Sequence, residues 1–116
     1  MRKRAFSDYL RDILSSIEEV EEFTAGISYD KFVNDRKTVN AVIRSLEVLG
    51  EAAKKIPERI RTKYPQIPWK RMTGMRDKLI HEYFGVDLEK VWLAVKEELP
   101  PIKPFFLQLK DEVNKA

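Results

Sequence analysis

The sequence predicts an all-α fold, an antiparallel bundle of four main helices with short helical pieces between them. Two observations predict it. Apolar residues recur at three- and four-residue spacing through almost the whole chain, which is the period of a helix that buries one face. No sustained run alternates with period two, and no Asn-Gly or Asp-Gly pair supplies a hairpin turn. The chain has 116 residues, with no internal repeat and no low-complexity linker, so residues 1–116 are expected to form a single domain around one core.

The first helix is expected at about residues 7–24. Its stripe is Phe6, Leu10, Ile13, Leu14, Ile17 and Val20, with Glu18, Glu19, Glu21 and Glu22 largely off it; Ser7 is a candidate N-cap and Ala25-Gly26 a stop. Residues 28–33 read as one helical turn or a connector. A long helix follows from about Asp35 to Lys55, striped by Val39, Val42, Ile43, Leu46, Leu49 and Ala53, with small Gly50, Ala52 and Ala53 where a neighbour can come close. Pro57 ends it and starts a short helix through Tyr64. Pro65 and Pro68 bracket a rigid loop, and Pro68 suits the first turn of a helix over about residues 68–84, closed by Gly85. Trp69, Met72, Met75, Leu79 and Ile80 are its apolar positions. Asp87 caps a further helix through Leu99, with Leu88, Val91, Trp92 and Val95 facing inward. Pro100-Pro101 breaks or kinks that helix, and residues 102–114 form the last segment.

Composition excludes several function classes. There is no cysteine, so disulfides, zinc–thiolate sites and cysteine nucleophiles are absent together, as suits a reducing cytoplasm. Arg2-Lys3-Arg4 could open a signal peptide, but Ser7, Asp8, Arg11 and Asp12 interrupt the apolar run that would have to follow. Nothing approaches the roughly 20 apolar residues that span a bilayer. The expectation is a soluble, cytoplasmic protein with no membrane contact. A formal net charge of +3 and a pI near 9.1 are compatible with RNA or another polyanion but do not argue for one alone.

The most informative run is Arg76-Asp77-Lys78-Leu79-Ile80-His81-Glu82-Tyr83, which holds the only histidine. Histidine is the one side chain whose unperturbed pKa lies near neutrality, so acid–base chemistry here passes through His81. On a helix, Arg76 and Tyr83 share nearly one face, whereas Arg76 and His81 stand about 140° apart. They converge through the length of arginine, through a bend or fraying near Gly85, or through a second copy of the helix. Metal-free RNA cleavage needs a base for the 2′-hydroxyl, an acid for the 5′-oxygen and a cation for the phosphoryl oxygens. Arginine suits the last role and histidine either of the others. One histidine cannot fill both, so a twofold dimer with His81 from each subunit in one cleft is favoured.

Each of these residues also has an ordinary reading. A lone histidine on a surface helix is usually only polar. Arg76 is answered by a salt bridge to Asp77 or Glu82, and Tyr83 by a half-buried aromatic with its hydroxyl at the surface. Glu47 and Glu51 could pair as metal ligands, but ion pairs with Arg44, Lys54 or Lys55 explain them better, and no metal site is expected. Arg2-Lys3-Arg4 and Arg59-Arg61-Lys63 read as solvated faces. Trp69 and Trp92 read as core or dimer contacts.

Arg-x4-His-x-Tyr, with a polar residue after the arginine, resembles the signature of HEPN-domain ribonucleases, and within them the HepT family. Residues 41–53 (Ala-Val-Ile-Arg-Ser-Leu-Glu-Val-Leu-Gly-Glu-Ala-Ala), Ile67-Pro68-Trp69 before the motif and Phe84-Gly85-Val86-Asp87 after it extend the likeness over about residues 5–99. The resemblance implies a HEPN-like bundle, a homodimer with both motif helices at a shared cleft, and endoribonuclease activity that needs neither metal nor cofactor. It also implies the toxin half of a toxin–antitoxin module. The partner would be an MNT-type nucleotidyltransferase antitoxin that transfers AMP to Tyr83; the added bulk and negative charge would block RNA. Asp77 stands where the family often has asparagine. It could orient Arg76 or His81, and it adds negative charge near the substrate phosphate. Arg44 is a candidate helper in holding RNA or nucleotide. Two other functions fit the residues: a non-catalytic binding module that is substrate or regulator of a nucleotidyltransferase, and a plain helical oligomer.

Overall fold

The computed structural model describes residues 5–81 and 86–115, and for Arg76, Leu79, Ile80 and His81 the backbone alone. Tyr83, Glu82, Gly85, the expected end of the motif helix and Arg2-Lys3-Arg4 lie outside the described residues. Within them every regular element is helical. The order is α1 (Phe6–Thr24), α2 (Tyr29–Val33), α3 (Arg36–Lys54), α4 (Glu58–Lys63), α5 (Trp69–His81), α6 (Leu88–Leu93) and α7 (Lys103–Lys115), with a π-helical stretch, Ala94–Glu98, continuing α6.

α1 and α3 form the centre. Leu10, Ile13, Leu14, Ile17 and Val20 of α1 meet Val39, Val42, Leu46, Leu49, Ala52 and Ala53 of α3, all buried. Burying such stripes is the main driving force of folding, at about 25 cal/mol per Å² of apolar surface. α3 packs against α5 on another side, and α7 closes over α1 with Phe106 and Leu109. Lys103 ties α7 to α1 through Glu21 at 2.7 Å, and this bond holds its ammonium above the usual lysine range.

Caps set the boundaries. The Ser28 hydroxyl accepts the Lys31 N–H at 3.1 Å and opens α2. The Asp35 carboxylate opens α3, accepting the Thr38 hydroxyl at 2.6 Å and the Thr38 N–H at 3.2 Å; those bonds hold it below the usual carboxylate range. Asp87 accepts the N–H groups of Glu89 and Lys90 and opens α6. α1 departs from expectation: its N-cap is Ala5, without a side-chain bond, and Ser7 already lies inside the first turn. Extending the helix by one residue brings Phe6 onto the core, and that burial outweighs a serine cap. At the other end, Gly26 takes φ 72°, a left-handed conformation natural to glycine, and turns the chain toward α2.

The helix expected from Asp87 to Leu99 is α-helical only to Leu93. The Leu99 N–H then reaches back five residues to the Ala94 carbonyl at 2.9 Å. Trp92 is half-buried against Phe32 and Tyr29, at ring separations of 5.1 and 5.9 Å.

Candidate functional site

α5 carries the motif, and its first turn anchors it. Pro68 supplies the carbonyl that accepts the Met72 N–H at 3.0 Å. Trp69 is buried, its ring set edge-on to Phe106 at 5.5 Å, and its indole N–H donates to the Tyr64 carbonyl at 3.0 Å. Tyr64 is itself buried, and burial, followed by the nearby Glu112 carboxylate, pushes its phenol up to about 12. From Trp69 to His81 the helix is unbroken.

That continuity fixes where the motif positions fall. Position 76 follows Met72 by one turn and Trp69 by two along the helix. Position 81 lies about 140° away, one turn beyond Asp77. The α-helical backbone from Trp69 to His81 therefore sets positions 76 and 81 about 140° apart, with no π turn between them.

Asp77 meets α3. Its carboxylate lies 2.8 Å from the Lys54 ammonium, with both side chains partly exposed. The extra negative charge beside the motif is thus balanced by a cation from the neighbouring helix. Arg44 is elsewhere: it lies ten residues before Lys54, roughly 15 Å along α3, with its side chain 75 % exposed and paired to Glu47 at 3.5 Å. No group of three or more His, Asp or Glu converges among the described residues. Arg59 covers the Phe6 ring and Lys63 pairs with Glu112, so these two members of the second basic cluster act locally.

Beside this face, α5 and α6 enclose an open groove of about 730 Å³. Arg71, Gly74, Met75 and Lys78 line it from α5, Lys90, Val91 and Leu93 from α6, with Val86, Asp87 and Glu98 completing it. Arg71 is held by an ion pair with Glu98. Sequence reasoning did not single out Lys78 or Lys90. A signal was there: Arg71, Gly74, Met75 and Lys78 follow the i, i+3, i+4, i+7 rule on α5 and form a second, polar stripe beside the apolar one.

Comparison with known proteins decides the family. Residues 13–109 match the family described as "HepT-like: Ribonuclease HepT-like". The chain belongs to the HepT-like ribonuclease family. Among its HepT-like relatives is the "Probable ribonuclease HepT" of Thermococcus cleftensis, 51 % identical over 93 % of this chain and 98 % of that protein. Two proteins of Methanocaldococcus jannaschii, "Putative RNase MJ0125" and "Putative RNase MJ1216", are 53 % and 48 % identical, covering 91 % and 98 % of this chain and 91 % and 94 % of their own lengths. No solved structure matches the chain. The HepT-like match spans α1 to the middle of α7, so it includes the whole motif helix and the groove beside it. No helix among the described residues is long and apolar enough to cross a membrane.

Proposed function

We propose that this HepT-like ribonuclease is an endoribonuclease toxin of a toxin–antitoxin module and works without a metal. The 2′-hydroxyl of RNA attacks the adjacent phosphorus, the bond to the 5′-oxygen breaks, and the products carry a 2′,3′-cyclic phosphate and a 5′-hydroxyl. His81 carries the proton, as base toward the 2′-hydroxyl or as acid toward the 5′-oxygen, and Arg76 balances charge on the phosphoryl oxygens. Two copies of the chain supply the two imidazoles that the reaction needs, in one cleft of a homodimer. Tyr83 positions the substrate. Its phenol oxygen also takes AMP from ATP, with pyrophosphate leaving and the phenol proton released, in a reaction catalysed by an MNT-type nucleotidyltransferase antitoxin, and this silences the enzyme by bulk and like charge.

The observation that carries this reading is the Arg76-x4-His81-x-Tyr83 run in a chain of ribonuclease kinship. The 140° gap between positions 76 and 81 supports the dimeric cleft, because a second copy of α5 can offer its imidazole to the first copy's arginine. The test is an RNA cleavage assay in EDTA with wild type and His81→Ala. Wild type is expected to cleave and the variant not; cleavage lost in EDTA or kept by the variant rejects the mechanism. Incubation with the nucleotidyltransferase and ATP is expected to add AMP to wild type and not to Tyr83→Phe. AMP addition to a chain that leaves RNA intact would instead identify a non-catalytic substrate of the transferase.

A further inference from the structure

We propose that the groove between α5 and α6 is an RNA-strand subsite next to the reacting phosphate, in which Lys78 and Lys90 hold flanking phosphates. The inference rests on the ribonuclease reading above and names where the strand lies. Charge is the first support. Among the described residues the groove has three cations, Arg71, Lys78 and Lys90, and two carboxylates, Asp87 and Glu98. Glu98 is engaged by Arg71, and Asp87 accepts the backbone N–H groups of Glu89 and Lys90. Lys78 and Lys90 are exposed and form no ion pair among the described residues. Among the described residues, two ammonium groups thus face the groove without a side-chain ion pair, which is the arrangement that exchanges small counter-ions for phosphates.

Position is the second support. The backbone of position 81 lies three residues beyond Lys78, roughly 4.5 Å along the axis and about 60° around it. A phosphate on Lys78 is therefore within about one nucleotide of a phosphate reacting at position 81. Shape is the third. Met75, Val86, Val91 and Leu93 make an apolar wall, and Leu93, 39 % exposed, is one of two large hydrophobic side chains left exposed among the described residues. Gly74 leaves its part of the wall open, with nothing within 4 Å of where a Cβ would stand. A base face fits such a wall, because a thioether and aliphatic carbons pack on any π surface.

The test uses Lys78→Gln/Lys90→Gln in the full chain, made catalytically silent by His81→Ala, with a short single-stranded RNA followed by fluorescence anisotropy across a salt series. Lys31→Gln/Lys110→Gln, equal in charge change and outside the lining of the groove, is the control. The groove variant is expected to bind on the order of tenfold more weakly at low salt, and its slope of log affinity against log salt is expected to fall by about 1.4, or about 0.7 per lost phosphate contact. Bound RNA is also expected to shield Lys78 and Lys90 from acetylation, a readout that needs no variant to fold. Equal affinity and slope in the two variants, with no shielding, overturns the proposal while leaving cleavage untouched. Binding through these lysines by a chain that cleaves no RNA in EDTA instead overturns the ribonuclease reading alone. A change in oligomer size or partner capture without a change in RNA affinity assigns the groove to a protein surface and also overturns the proposal.

Discussion

α1 and α5 pack on the same helix, α3, but are built on different plans. α1 drives Leu10, Ile13, Leu14, Ile17 and Val20 into the core, none more than 5 % exposed. α5 buries only Trp69 and Met72 among its described side chains, and gives its other faces to Asp77, Arg71 and Lys78. A helix that buries a full apolar stripe is held along its whole length. Among its described side chains α5 is held by the Trp69 anchor at its start and by the Lys54–Asp77 and Arg71–Glu98 pairs farther along. Among the described side chains, α1 supplies more of the burial that stabilises the fold, and α5 keeps more charged residues at the surface.

The sharpest way to break this contrast is to remove one side chain from each helix. His81→Ala on α5 is expected to lower the rate of RNA cleavage by roughly 10²–10⁴-fold, with its urea unfolding midpoint unchanged. A large loss of stability would show that the motif position belongs to the core after all. Ile17→Ala on α1 is expected to do the reverse. It should cost about 2–5 kcal/mol in urea unfolding, the range for truncating a buried isoleucine, while each folded molecule keeps its activity. A fall in specific activity beyond the folded fraction would show that the two sides are coupled.

Smaller changes test the points of attachment. Trp69→Phe keeps a ring against Phe106 but loses the bond to the Tyr64 carbonyl and some volume, and is expected to cost about 1–2 kcal/mol. Activity should fall with it if the first turn orients the motif. Lys54→Gln removes a partly exposed pair and is expected to cost less than about 1 kcal/mol. Its larger signature is expected in cleavage, since a cation held beside the motif helix is removed.

The smallest effect lies far from the site. The Asp35 carboxyl is held below its ordinary value by Thr38, so it contributes stability above the unfolded-state value and loses it as pH falls through the lowered folded value. Asp35→Ala is expected to melt slightly below wild type at neutral pH, with the gap narrowing in acid. A gap that widens in acid would contradict the cap as the cause.

Much of this was legible in the chain because it is local. The stripes of α1 and α3 follow from residue spacing. Ser28, Asp35 and Asp87 act as caps because a short polar side chain can satisfy an N–H only two or three residues ahead. The angular relation of positions 76 and 81 is helix arithmetic that the unbroken α5 preserves. Where local signals competed, burial prevailed: Ser7 is a good cap by type, yet the helix begins earlier because Phe6 has a core to join.

The π turn at Ala94–Glu98, the Lys54–Asp77 pair and the groove were not legible in this way. Lys54 and Asp77 stand 23 residues apart and Arg71 and Glu98 stand 27 apart, so each pair exists only once α3, α5 and the end of α6 have docked. The sequence by itself determined that this protein is helical, which faces its long central helices bury and which residues could move a proton. Only the tertiary structure decided which charges are balanced and which are left facing a groove, because charge balance depends on distances between helices and periodicity within one helix carries no information about its neighbours.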